Sequence, residues 1–88
     1  MNKIKVLIAD DHAIVREGAR QALSSQPDIE VIGEAQDGDE ALQMARALRP
    51  DVVMLDISMP GLSGLDLIPL IKRALPDTEI VVLSIHQK

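Results

Sequence analysis

The chain has 88 residues, a formal net charge of -5, no cysteine and no aromatic residue. That length is one domain on the short side of the usual range, and its core has to be built from Leu, Ile, Val, Ala and Met. The acidic balance argues against direct binding of nucleic acid, which needs clustered Lys and Arg. The lack of cysteine excludes a disulfide framework and a thiolate metal site and suits a reducing cytoplasm. Met1-Asn2-Lys3 leads straight into a strand-like run without the apolar core of a signal peptide. No apolar run approaches the length needed to span a bilayer, so a cytoplasmic location and no membrane partner are expected.

In chain order, Ile4-Lys5-Val6-Leu7-Ile8-Ala9 predicts a first strand, ending in Asp10-Asp11-His12. Ile14, Gly18 and Ala22 recur at spacing four, with Val15, Ala19 and Leu23 beside them. This helical stripe has small residues that would let it lie close to a sheet. Ser24-Ser25-Gln26-Pro27-Asp28 is a break. Ile29 to Ala35 alternates in part, as a half-exposed edge strand does. Ala41, Leu42, Met44, Ala45 and Leu48 have helical period; Asp37 with Glu40 resembles a capping box, and Pro50 ends the helix.

Asp51-Val52-Val53-Met54-Leu55-Asp56 predicts a buried strand with a carboxylate at its tip, before Pro60-Gly61. Ser63 or Gly64 opens a third helix through Leu65, Ile68, Ile71 and Leu75, with Pro69 inside it and a kink expected there. Ile80-Val81-Val82-Leu83-Ser84 reads as a fourth buried strand. The order β-α-β-α-β-α-β implies a parallel sheet with right-handed crossovers and helices on both faces. Buried runs at strands one, three and four, with a mixed strand two, fit the flavodoxin-like order 2-1-3-4.

Ligands of such sheets bind at the C-terminal ends of the strands. In this order the tips of strands one and three bring Asp10, Asp11 and Asp56 together, with Ser84 beside them. Unneutralised, three carboxylates in one pocket would raise one another's pKa. A hard divalent cation with oxygen ligands and retained waters, Mg²⁺, resolves the repulsion. A carboxylate beside it can attack phosphorus and form an acyl phosphate, and the Ser84 hydroxyl can donate to a phosphoryl oxygen.

Ile8-Ala9-Asp10-Asp11-His12, Val15-Arg16-Glu17-Gly18, Asp37-Gly38-x-Glu40-Ala41-Leu42, Pro50-Asp51-Val52-Val53-x-Leu55-Asp56, Met59-Pro60-Gly61-x-x-Gly64 and Leu83-Ser84-Ile85-His86 together resemble the receiver domain of bacterial two-component response regulators. The branch they resemble carries a LuxR-type helix-turn-helix output domain. The resemblance runs through essentially all of residues 1–88 and implies a CheY-like fold. It makes Asp56 the phosphoacceptor for a sensor histidine kinase and Asp11 a direct Mg²⁺ ligand. Asp10 acts on the metal largely through water, and the Ser58 carbonyl is a further ligand. Ser84 follows the phosphoryl group when the domain switches. Ser58 and His86 border the pocket and tune how long that group survives.

The family pattern continues with a fourth helix, a fifth strand ending in a lysine, and a fifth helix. These 88 residues contain none of them, nor an output domain, and Lys88 comes too early to be that lysine. A truncated receiver is therefore expected, with slow or absent phosphorylation. It is not an enzyme in the ordinary sense but a phosphoacceptor that assists its own phosphorylation and dephosphorylation. An open strand four and uncovered apolar side chains lead to an expected homodimer, by strand-four pairing, face packing or exchanged elements.

Other readings are weaker. An inert self-associating fragment without phosphotransfer is the alternative function. A hydrolase in the manner of haloacid dehalogenases needs an acid two residues after the nucleophile, where Ser58 stands, and no Gly-rich phosphate loop is present. Asp10 could cap the following helix. His12 and His86 are expected in solvated loops rather than as a metal pair. Glu34, Glu40, Arg46 and Arg49 are expected on solvated faces, and Met44, Met54 and Met59 as gap fillers.

Overall fold

Apolar β-branched runs alternating with amphipathic runs give, among the described residues, β1 (Ile4–Ala9), α1 (Ala13–Ser24), β2 (Ile29–Ala35), α2 (Gly38–Leu48), β3 (Val52–Asp56), α3 (Gly64–Ala74) and β4 (Glu79–Leu83). The computed structural model describes residues 3–59 and 64–83. The expectations for Pro60, Gly61, Ser63, Ser84, His86 and Lys88 lie outside the described residues. The strands are parallel in the order β2-β1-β3-β4, as the burial of the runs predicts.

The alternation of side chains along each strand divides the core between two faces. Leu7, Ala9, Val53 and Leu55 face α2 and α3, where they pack with Ala41, Ala45, Leu67, Ile71 and Leu75. Val6 and Ile8 are buried on the opposite face, the side of α1, which packs on β1 and β2. The register of β1 on β2 shifts between Val6 and Leu7: Val6 pairs with Val31 but Leu7 with Gly33. A Cβ on Gly33 would lie 2.7 Å from Met44 Cε and 3.0 Å from Leu48 Cδ1, so this glycine lets α2 lie close to the sheet.

Helix α2 begins as the capping box predicts, in a variant form. The Asp37 side chain accepts from the Glu40 N–H at 2.8 Å, while Glu40 reaches back to the N–H of Gln36, at 2.7 Å, rather than to that of Asp37. The helix ends at Arg49, whose φ of 51° is left-handed, one residue before Pro50. Helix α3 is continuous through Pro69.

Two expectations are corrected. In α1 the row Ile14, Gly18, Ala22 faces outward, with Ile14 87% exposed and nothing within 4 Å of a Cβ on Gly18. The half-buried side is Val15, Ala19 and Leu23, the part of the expected stripe that does face the sheet, together with Arg16 and Arg20. β4 is the open edge expected of strand four, with Val81 46% and Val82 44% exposed, so its run is not buried as its composition suggests.

At the N-terminal ends of the strands, Asp51 joins three of them. Its N–H donates to Lys5 O (2.8 Å), its carboxylate accepts from the Lys5 N–H (2.9 Å) and its carbonyl accepts from the Glu79 N–H (2.9 Å). Nearby, the buried Thr78 hydroxyl donates to Pro50 O, and Lys72 Nζ donates to the carbonyls of Pro76 and Thr78.

Candidate functional site

The paired β1 and β3 end side by side, Ala9 opposite Leu55. The next residues, Asp10 and Asp56, are both buried although charged. Their carboxylates, with those of Asp11 and the ring of His12, offer one donor atom each, all within 4.8 Å of one another. Of the residues read as site candidates, Asp10, Asp11 and Asp56 are thus brought together, and Ser58 joins them through Asp56.

Ser58 follows Asp56 by two residues and folds back on it. Its N–H and its hydroxyl both donate to Asp56 Oδ1, at 3.0 and 2.8 Å. Burial pushes the Asp56 carboxyl up, but the two Ser58 bonds, aided by Asp10 and His12, outweigh it and hold the group below the usual carboxylate value. This corrects the expectation of mutual elevation for Asp56: the Ser58 donors stabilise its charge. Oδ1 is engaged by Ser58, and Oδ2 lies 3.7 Å from His12 Nδ1.

The loop after Asp56 is pinned twice. Met59 is buried in the core. The start of α3 sits against Ile57, where a Cβ on Gly64 would lie 2.5 Å from the Ile57 Cα.

His12 was not legible as a pocket residue. The expectation of a solvated loop is half right, since the ring is largely exposed, yet Nδ1 lies 3.0 Å from both Asp10 Oδ1 and Asp11 Oδ1. Its place two residues after Asp10 was the available signal. Asp10 is not the cap of α1. His12 is the N-cap residue and makes no side-chain cap bond, while Asp10 Oδ1 accepts from the His12 N–H at 2.8 Å. Glu34 is likewise not simply solvated: Oε1 lies 3.5 Å from Arg16 Nε and Oε2 3.5 Å from Arg20 Nε.

The hydrogen bond to Asp10, then the charge of Asp11, raises the His12 pKa against a smaller effect of desolvation. In metal-free protein His12 is therefore expected to titrate above its ordinary value of 6.5, and Asp10→Asn to move it back down. The folded state holds this proton more tightly, so the resulting stability is full below the ordinary value and is lost as pH rises through the raised one. NMR titration of the ring checks this; a His12 curve unchanged by Asp10→Asn contradicts it.

Comparison with known proteins shows the family to which the chain belongs. The family model for the response regulator receiver domain matches residues 6–88. The chain belongs to that family. It is 48% identical over 81 residues to the transcriptional regulatory protein LiaR of Bacillus subtilis, a match covering 92% of this chain and 38% of LiaR. The response regulator domain of Thermotoga maritima CheB superposes with a TM-score of 0.90 at 41% identity, over 94% of this chain and 61% of that one. The isolated receiver domain of RcsB from Salmonella enterica serovar Typhimurium gives 0.89 at 37% identity, over 99% and 65%. The chain thus spans about two fifths of the length of LiaR. Receiver domains are signalling domains that histidine kinases phosphorylate, and they typically bind Mg²⁺ at an acidic pocket. Among the described residues no helix is long and apolar enough to cross a membrane.

Proposed function

We propose that this receiver accepts a phosphoryl group from a sensor histidine kinase on Asp56. The observation that carries the reading is the buried Asp56 carboxylate, held ionised and converging with Asp10 and Asp11 at the ends of β1 and β3. With Oδ1 engaged by Ser58, Oδ2 is the oxygen left to form the new bond to phosphorus. The bond from phosphorus to the kinase imidazole nitrogen breaks, and its electron pair stays on that nitrogen.

Three carboxylates clustered on a hard-oxygen site fit Mg²⁺. In this reading Asp11 is a direct ligand, Asp10 acts through water, and Asp56 and the Ser58 carbonyl complete the protein donors. Bound there, Mg²⁺ supplies charge that offsets the phosphoryl oxygens. Ser84 would follow the phosphoryl group, and Ser58 and His86 would tune its lifetime. The setting is the cytoplasm, with a LuxR-type DNA-binding output domain as the effector.

Titrating Mg²⁺ into the protein and following amide resonances tests the pocket. Asp11→Asn and Asp56→Asn are each expected to weaken binding by about tenfold or more. Binding unchanged in both would refute the assignment.

The exposed valines of edge strand β4 support a second reading of the 88-residue chain, as a self-associating form without phosphotransfer. An open strand edge is a template for pairing with another copy; face packing or exchanged elements would serve as well. Sedimentation equilibrium is expected to return a dimer at micromolar concentration. A monomer whose unfolding does not depend on concentration would overturn this.

A further inference from the structure

The Asp10–Asp11 turn is held from a direction the proposed chemistry does not use. The Asp10 N–H donates to Ala35 O at 3.0 Å. The Asp10 carbonyl accepts from Arg16 Nη1 at 2.7 Å. The Arg16 side chain is only 15% exposed, and its Nε faces Glu34 Oε1 at 3.5 Å. Glu34 stands on β2 opposite Ile8 of β1, one pair before Ala9 and Ala35. One guanidinium therefore ties together the start of α1, the end of β2 and the peptide unit joining two of the three pocket acids.

That peptide unit has one orientation to set. Its carbonyl belongs to Asp10, and its N–H belongs to Asp11. Rotating it changes the direction in which the Asp11 side chain leaves the backbone. Arginine suits the task because its planar fork bonds two acceptors in fixed relative directions. Lysine at the same place could donate to the carbonyl but could not bridge it to Glu34 with the same geometry.

We propose that Arg16, braced by Glu34, is a positioning residue that fixes the Asp10–Asp11 peptide and thereby aims the Asp11 carboxylate into the metal pocket. The proposal rests on the reading of that pocket given above. Arg16 touches neither the metal nor the phosphoryl group; it acts through the backbone. Partners of this outer kind are typically worth tenfold or more in metal affinity.

The test compares wild type, R16M, R16K and E34Q by Mg²⁺ titration and by the ¹⁵N shift of the Asp11 amide in metal-free protein. That shift follows hydrogen bonding at the carbonyl of its own peptide unit. R16M is expected to move the Asp11 resonance and weaken Mg²⁺ by about tenfold. R16K, which keeps a donor, is expected to recover most of both, and E34Q to lose about threefold on the same scale.

A folded R16M with wild-type Mg²⁺ affinity and an unmoved Asp11 resonance overturns the proposal, as does R16K behaving like R16M. If R16M does not fold, E34Q decides: an unmoved Asp11 resonance with wild-type affinity is fatal. If wild type binds no Mg²⁺, or Asp11→Asn leaves binding unchanged, the pocket reading fails. The Asp11 shift in metal-free R16M and R16K then still upholds or overturns the positioning role.

Discussion

Incubating the 88-residue chain with acetyl phosphate and Mg²⁺ is expected to label Asp56 on the order of a hundredfold more slowly than receivers with a lysine at the end of a fifth strand. Asp56→Asn is expected to abolish the label. In the proposed reading Asp56 is ready to attack, since Ser58 holds its carboxylate ionised and engages Oδ1, not Oδ2. Among the described residues no lysine stands at the Asp56 end of the sheet to pair with phosphoryl oxygens. Among the described residues, Lys3 and Lys5 stand at the far end of β1 from Asp10, and Lys72 is bound to the carbonyls of Pro76 and Thr78. Intact mass after timed incubation reads both effects. Labelling at the full receiver rate, or label that persists in Asp56→Asn, would contradict the expectation.

Gly64→Ala is expected to cost more stability than the same change at Gly18 or Gly33. The new Cβ would lie 2.5 Å from the Ile57 Cα and 3.0 Å from its Cβ. The first of these is backbone and cannot rotate away, unlike the side-chain tips that surround Gly33. Overpacking of this kind costs about 1–3 kcal/mol, which for a domain of this size is a Tm lower by about 5–20 °C. Relief comes only by moving the start of α3 or the loop from Ile57 to Met59. The latter movement disturbs the two Ser58 bonds to Asp56, so Mg²⁺ affinity should fall with stability. Thermal unfolding and Mg²⁺ titration of the same variant check both; a Tm within a degree of wild type would show that the loop yields without strain.

The backbone plan was readable because each element carries a periodic signal of its own. β1 and β3 are apolar runs closed by aspartate, and α2 has its cap written in Asp37 and Glu40. The three acids followed from strand order alone. What was not readable depends on which side of an element meets a neighbour. In α1 both rows contain small or apolar residues, and only the position of Glu34 on β2 gives Arg16 and Arg20 a reason to turn inward. The β4 run Ile80–Leu83 has the composition of a buried strand; its exposure follows from its place at the edge, which the strand order gives and its own residues do not. His12 reaches the pocket because Asp10 bends the chain through its own side chain, a local turn that shows in the sequence only as spacing.

Asp51 sets the register of β3. In a strand with a two-residue repeat, a slip by one position exchanges the faces. Here it would put Leu55 at the tip and send Asp56 beyond it. Both peptide groups of Asp51 and its carboxylate are tied to Lys5 and Glu79, so β3 is anchored at its foot against its neighbours on both sides. From there the distance to Asp56 is only a count of residues, about 3.3 Å each. The Asp56 carboxylate is thus placed by a ruler whose zero mark lies at the opposite end of the sheet. A lesion at Asp51 would mislocate the cluster of Asp10, Asp11 and Asp56 without touching any of its members.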